Sequence, residues 1–447
     1  MKKLLIVSLL FLFSVTLVAC NREEEPEECV NDAALGQEYF FDQDQQETVT
    51  ITVWLDNEEY ANALIEAFEA ANPGIRVRFE EVGSVDVRQR LELYQGSSAA
   101  ADVVVFPHDH IGAALNSNLL HDISGSFADD LRERMILSAT ETASACYDFD
   151  QNSVIDCDTP GAERSLFGAP LSGESVALFY NKALLEDLTG SAEPATSFEQ
   201  IIADFEEYKT ILEEDYGDLM IALDVGNAYD MHFLATAFGF QLFGEDGQNP
   251  DEANLDSDEM IAALTYMQDV LVPALNGYSS GDLDGESNRS LFEQGKLPYI
   301  IDGPWSITRY VDAEVDFGVT GIPTIDGQQP VTFSGVQMAA VYSGTNQPAA
   351  AFRFLEFMTS DEGLDILYAT TNRLPALEDL SGLEAIASDL YLQGISEQLN
   401  YSQPMPIIRE MGFFWDNAGA MYGQVWNGTR TPKEAAEEAQ AGFDGAR

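Results

Sequence analysis

Thr48-Val49-Thr50-Ile51-Thr52-Val53-Trp54-Leu55 alternates polar with apolar residues and is rich in β-branched side chains. That pattern reads as a strand with one face toward a core. The period then changes. Ala61, Leu64, Ile65 and Phe68 fall at helical spacing over 58–71, and Asn72-Pro73-Gly74 ends the run. Ile75-Arg76-Val77-Arg78-Phe79 reads as strand and 85–96 as helix. Ala101-Asp102-Val103-Val104-Val105-Phe106 is an apolar run of the kind buried in a parallel sheet. A β-α-β-α-β opening predicts an α/β fold, with a parallel sheet covered by helices.

Further strands are expected at 167–171, 175–180, 219–225, 317–322 and 336–342. Helices are expected at 111–118, 127–139, 230–239, 251–271, 349–358 and 362–368. Ser197-Phe198-Glu199-Gln200 and Thr431-Pro432-Lys433-Glu434 are capping boxes that open two more helices. The tail reads as all helix, with an aromatic group at Phe413-Phe414-Trp415. Tyr299-Ile300-Ile301-Asp302-Gly303-Pro304-Trp305 reads as a short buried strand stopped by Gly-Pro. Trp305 then stands at the carboxyl end of a strand, where open α/β sheets place ligands. A core Trp packed on the sheet is the other reading of that stretch.

The first residues stand apart from the fold. Met1-Lys2-Lys3 is a basic start, 4–18 is an almost unbroken apolar run, and Leu17-Val18-Ala19 precedes Cys20. This is a secretory signal over 1–19 rather than a membrane span. Its end resembles a bacterial lipobox, which implies that Cys20 becomes the acylated first residue. Residues 20–47 read as an acidic linker between lipid and body. The chain carries 77 acidic against 21 basic residues, a net charge of −56. That balance excludes a basic nucleic-acid face. It suits a surface solvated in salt, where screening relieves self-repulsion.

Cys146 and Cys157 bracket a short acidic loop, and a bridge between them is the first choice for an exported chain, leaving Cys29 over. Within the loop Asp148, Asp150, Asn152 and Asp156 place oxygens at alternate positions, as a Ca²⁺ loop does. Ser153 stands where such loops carry Gly and Thr159 where they carry Glu. A structural Ca²⁺ and a stapled acidic hairpin are the two readings, and the second is favoured. No other cofactor is expected.

The order of elements and several motifs resemble the extracellular solute-binding proteins of ABC importers, nearest the maltose/maltodextrin branch. The motifs are Val53-Trp54-Leu55, Phe106-Pro107-His108-Asp109-His110-Ile111-Gly112, Asn118-Leu119-Leu120, and Glu174 before 175–182. Asp302-Gly303-Pro304-Trp305, 359–364, Arg373-Leu374-Pro375-Ala376 and Phe413-Phe414-Trp415 follow in the same order. The resemblance implies a type II periplasmic-binding-protein fold, two α/β lobes joined by hinge crossovers around a ligand cleft. Lobe 1 would hold 48–171 and 336–363, and lobe 2 would hold 172–335 and 364–447. It implies a monomeric, lipid-anchored receptor on the outer face of the bacterial membrane. That receptor would capture an oligosaccharide and deliver it to the permease subunits, without catalysis.

Sugar rings stack on aromatic faces, and their hydroxyls pair with planar polar groups. By resemblance Trp305, Trp415 and Tyr229 form the stacking platform, with Phe106 opposite. Asp109 and Glu174 would accept sugar hydroxyls. His110 stands where the family has Arg, Asn227 near a family Glu, Gly419 near a family Arg, and Glu58-Glu59 where it has Asp-Lys. These departures keep the sugar class and set this chain apart from a maltose receptor. Two other functions fit parts of the pattern: a polyamine receptor on the same fold, and a surface glycoside hydrolase using Asp109 and Glu174.

Overall fold

The computed structural model of the chain describes residues 48–447 apart from 149–152, 155–163, 217, 245–246, 276–277, 380–385 and 387. The signal and linker, with Cys20 and Cys29, lie outside the described residues, as do Cys157, Asp150, Asn152 and Asp156. Among the described residues no helix is long and apolar enough to cross a membrane.

Two separate apolar cores organise the chain. In the first, β1 (Val49–Leu55) pairs in parallel with β2 (Ile75–Glu81) on one side and β3 (Val103–Pro107) on the other. The predicted parallel opening is therefore present. The sheet is completed by antiparallel strands from far along the chain. These are β12 (Thr332–Val341) against β3, β7 (Ala169–Glu174) against β12, and β13 (Leu374–Pro375) against β7. Asn57 caps the helix Glu58–Ala71 through a bond from the Tyr60 amide at 2.8 Å. That helix presses Phe68 edge-on against Phe354, with ring centroids 4.9 Å apart.

The second core is built on the sheet order β11 (Phe317–Thr320), β8 (Ala177–Asn181), β10 (Tyr299–Asp302), β9 (Ile221–Ala222). The expected strand at 219–225 shrinks to these two residues of β9. Leu219, Leu223 and Val225 are buried by packing rather than by a ladder. In the tail the helix expected from Met405 begins at Met411, and β14 (Ser402–Pro404) before it lies parallel to the start of β12. A small third sheet joins β4 (Ser144–Asp148) to β5 (Ser153–Val154) and β6 (Arg164–Leu166). Cys146 is disulfide-bonded there, to a partner outside the described residues. Of the four residues in the alternative Ca²⁺ reading only Asp148 is described, and among the described residues no His, Cys, Asp or Glu cluster is suited to a metal ion.

The chain leaves the first core at Leu171 and enters the second at Val176. Between them the buried Ser175 hydroxyl bonds to the Thr332 Oγ1 at 2.7 Å and to the Phe333 carbonyl at 2.8 Å. The outgoing and returning connections are thus tied side by side. His108 adds a third tie. Its Nδ1 accepts from the Val336 amide at 2.9 Å, which leaves the proton on Nε2, 3.1 Å from the Met405 carbonyl. Leu364, Leu367, Ala376 and Leu377 pack in the first core, not in the second as the expected division at 363/364 requires. The reason is the helix Asp361–Thr371, which lies on the helix Glu58–Ala71 before β13 adds to the first sheet.

Candidate ligand-binding site between the two cores

Trp305 is placed by its own motif. β10 ends at Asp302, which is 1% exposed. The Asp302 carboxylate accepts from Arg289 Nε at 3.0 Å and Nη2 at 3.2 Å, from the Tyr310 hydroxyl at 2.6 Å and from the Gly303 amide at 2.9 Å. It also takes the indole N–H of Trp305 at 2.8 Å. The indole N–H of Trp305 is therefore used within the protein, and what remains is its half-buried face. Residue 303 must be glycine, because a Cβ there would overlap the indole carbons of Trp305. Gly303→Ala is expected to push the ring off Asp302 at about 1–3 kcal/mol. Intrinsic fluorescence and urea unfolding check this, and an unchanged emission maximum would count against it.

Tyr229 comes from the first turn of the helix Ala228–Ala237. Asn227 is the cap, accepting from the Tyr229 amide at 3.0 Å and donating to Asp230 Oδ2 at 3.0 Å. Its role is to aim Tyr229, and its amide is already bonded within the protein. The Tyr229 ring lies 6.3 Å from Trp305 at 52° and 6.4 Å from Trp415 at 58°. Phe333 backs it in a stacked arrangement at 6.1 Å. Trp415 projects from the helix Met411–Trp426. One turn on, a Cβ at Gly419 would collide with the Gly226 carbonyl. The helix thus seats closely against the turn that presents Tyr229, and no arginine fits where the resemblance would put one.

The first core supplies the facing wall. Trp415 donates its indole N–H to Asp109 Oδ2 at 3.1 Å, so one bond spans the two cores. Glu174 ends β7 and its Oε1 accepts from Gln337 Nε2 at 2.9 Å. Burial pushes the Glu174 carboxyl up, opposed by the charge of Arg373 and the Gln337 bond. Arg373 is itself gripped at two points by Asp56, at 2.8 and 3.2 Å. Burial drives the Tyr229 hydroxyl well above its ordinary value, with Glu174, Asp230 and Asp109 adding to the rise. Burial also lowers His110, against the opposing charge of Asp109.

Tyr60 OH, His110 Nδ1, Ser172 Oγ, Glu174 Oε2, Tyr229 OH and Gln337 Oε1 are buried with no hydrogen-bond partner among the described residues. Buried polar atoms are nearly always paired. Several unpaired ones on facing elements, beside three aromatic rings, mark a surface built to hydrogen-bond something from outside the chain.

Trp305, Tyr229, Trp415, Asp109 and Glu174 are brought together. Phe106 is not part of the platform. It is 1% exposed in the first core, paired with Met338 across the sheet and stacked with His110 at 6.3 Å. Glu58 and Glu59 are exposed in the first turn of their helix, where carboxylates complement the helix dipole. The acidic residue that joins the buried cluster is Asp56, directly after β1. Asp56, Tyr60, Gln337 and Arg373 were not singled out from the sequence. The one signal was Arg373 in its Arg-Leu-Pro-Ala match.

Residues 54–364 match the family model described as bacterial extracellular solute-binding protein. The chain is 24% identical over 445 residues to a maltooligosaccharide ABC transporter solute-binding lipoprotein of Streptococcus pneumoniae, covering 98% of this chain and 96% of the relative. It is 27% identical over 382 residues to a maltotriose-binding protein of Pyrococcus abyssi, covering 84% and 76%. Its fold superposes on a cyclo/maltodextrin-binding protein complexed with maltotetraose at a TM-score of 0.69, with 25% identity and 90% and 98% coverage. On MalX of Streptococcus pneumoniae, solved with maltopentaose, the TM-score is 0.75 with 23% identity and 89% and 100% coverage. With the two-core α/β fold and the facing walls already described, the chain belongs to the bacterial extracellular solute-binding proteins.

Proposed function

We propose that this chain is the receptor of an ABC importer, held to the outer face of the membrane by lipid on Cys20, and that it captures a maltooligosaccharide between its two cores. The cores act as lobes that close over the ligand. Trp305, Tyr229 and Trp415 stack on successive sugar rings, and Asp109 and Glu174 accept hydroxyls. The observation that carries this reading is the meeting of three aromatic rings of the second core, Tyr229 lying 6.3 Å from Trp305 and 6.4 Å from Trp415, with the acids Asp109 and Glu174 of the first core. The α-1,4 linkage is taken from the relatives, a maltooligosaccharide transporter lipoprotein and a maltotriose-binding protein.

Thermal unfolding with maltotriose, maltopentaose, cellopentaose, a galactooligosaccharide and spermidine tests it. The α-1,4 glucans are expected to stabilise the protein by about 2.7 kcal/mol at a hundredfold excess over Kd. Stabilisation by cellopentaose or spermidine alone would overturn the reading. The acidic surface belongs to the same proposal, as an adaptation to salt. Unfolding midpoints are expected to rise from low to molar salt as repulsion is screened. A flat response would remove that part.

A further inference from the structure

We propose that the Asp56–Arg373 ion pair is a positioning device for Glu174, holding one guanidinium charge beside its carboxylate without taking its free oxygen. The inference rests on the sugar-receptor reading for its purpose, but its geometry stands alone.

β13 runs antiparallel to β7, with Leu374 opposite Gly173 and Pro375 opposite Ser172. The next step of that register sets Arg373 across from Glu174. On the other side Gly335 of β12 is the partner of Glu174, and Gln337 of the same strand donates to Oε1. Among the described residues, the charges that act on Glu174 are led by Arg373 before β13, Asp56 after β1 and Asp109 after β3, and Glu174 acts in turn on Tyr229 from the second core. Arg373 is the one cation among them.

Arg373 nevertheless makes its ion pair with Asp56 and not with Glu174. Its two-point grip on Asp56 fixes the planar fork. A free guanidinium there would swing onto Glu174 and occupy Oε2. No guanidinium at all would leave a buried carboxyl surrounded by acids, and such a group takes up a proton and stops being a full acceptor. Asp56 therefore keeps the charge close while Glu174 Oε2 stays unpaired and buried, ready for a ligand hydroxyl.

Two variants move Glu174 in opposite directions. In Arg373→Gln the Glu174 carboxyl is expected to titrate higher than in the wild type, because the cation that opposes its burial is gone. In Asp56→Asn the released arginine pairs with Glu174, which then titrates lower. Carbon-13 NMR of labelled glutamate carboxyls in the sugar-free protein reads this, with Glu174 assigned by the loss of its resonance in Glu174→Gln. Maltotriose affinity as a function of pH is the second readout. Both variants are expected to lose maltotriose affinity at neutral pH, Arg373→Gln because Glu174 takes up a proton more readily and Asp56→Asn because the released arginine occupies Oε2. The acid limit of binding should move up only in Arg373→Gln.

A purely structural role would weaken both variants without separating their titrations. If the Glu174 resonance titrates at one pH in the wild type and both variants, the proposal is wrong. Should either single variant fail to fold, the double variant Asp56→Asn/Arg373→Gln removes both charges together, and its Glu174 must titrate above the wild type. A wild type that ignores maltotriose would sink the sugar reading, and the sugar-free titration would still decide this one.

Discussion

Trp305→Ala is expected to weaken maltotriose binding by roughly 30- to 1,000-fold, the range of a buried aromatic anchor worth about 2–4 kcal/mol. The ring closes one end of the aromatic wall, 6.3 Å from Tyr229. Its indole N–H is bound to Asp302 at 2.8 Å, so the prediction rests on the ring face and not on the donor. Trp305→Phe keeps an aromatic face and loses the anchor to Asp302. It is expected to fall between wild type and alanine. Titration calorimetry at constant pH separates the three proteins. A change of less than threefold for Trp305→Ala, in a wild type that binds maltotriose, would remove Trp305 from the site.

Asp302→Ala is expected to lower folding stability by about 3–5 kcal/mol, because it leaves the partly buried Arg289 without its carboxylate. The Tyr310 hydroxyl and the Trp305 indole would lose their acceptor at the same time. Asp302→Asn keeps the shape and one acceptor oxygen, so it should lose less. Urea unfolding measures both, read as the shift in midpoint at constant slope. Binding should fall in step with the mobility of Trp305. An Asp302→Ala protein as stable as wild type would mean that Arg289 finds another partner, and that the motif does not hold the ring as described.

The contrast between these two residues shows how the site divides. Trp305 was legible as a candidate for the site because it stands at the end of a buried strand inside a family-like motif. Asp302 is in the same motif, but its role was invisible. Its principal donors are Arg289, Tyr310 and Trp305, and only folding brings Arg289 to it from the helix Gly285–Glu293. Phe106 misled for a related reason. It lies where the family often has a stacking Trp, but its strand is central in the first sheet, between β1 and β12. A side chain there is enclosed by neighbours on both sides. Glu58 and Glu59 stand where the family has an Asp-Lys pair, yet they lie exposed in the first turn after the Asn57 cap, and Asp56 is the acid that pairs with Arg373.

What the sequence determined by itself was local. Periods of two and of 3.6 residues marked the alternating strands and helices, Gly-Pro and the capping boxes marked their ends, and the ordered motifs named the family. The tertiary structure alone decided which distant residues face one another. Trp415 meets Asp109 across the two cores, Arg373 before β13 pairs with Asp56 after β1, and Gly419 admits no side chain because Gly226 lies against it. Those outcomes depend on antiparallel register and helix seating between segments remote in the chain. Local periodicity carries no record of either, since it reports which face of an element is buried and not what is buried against it.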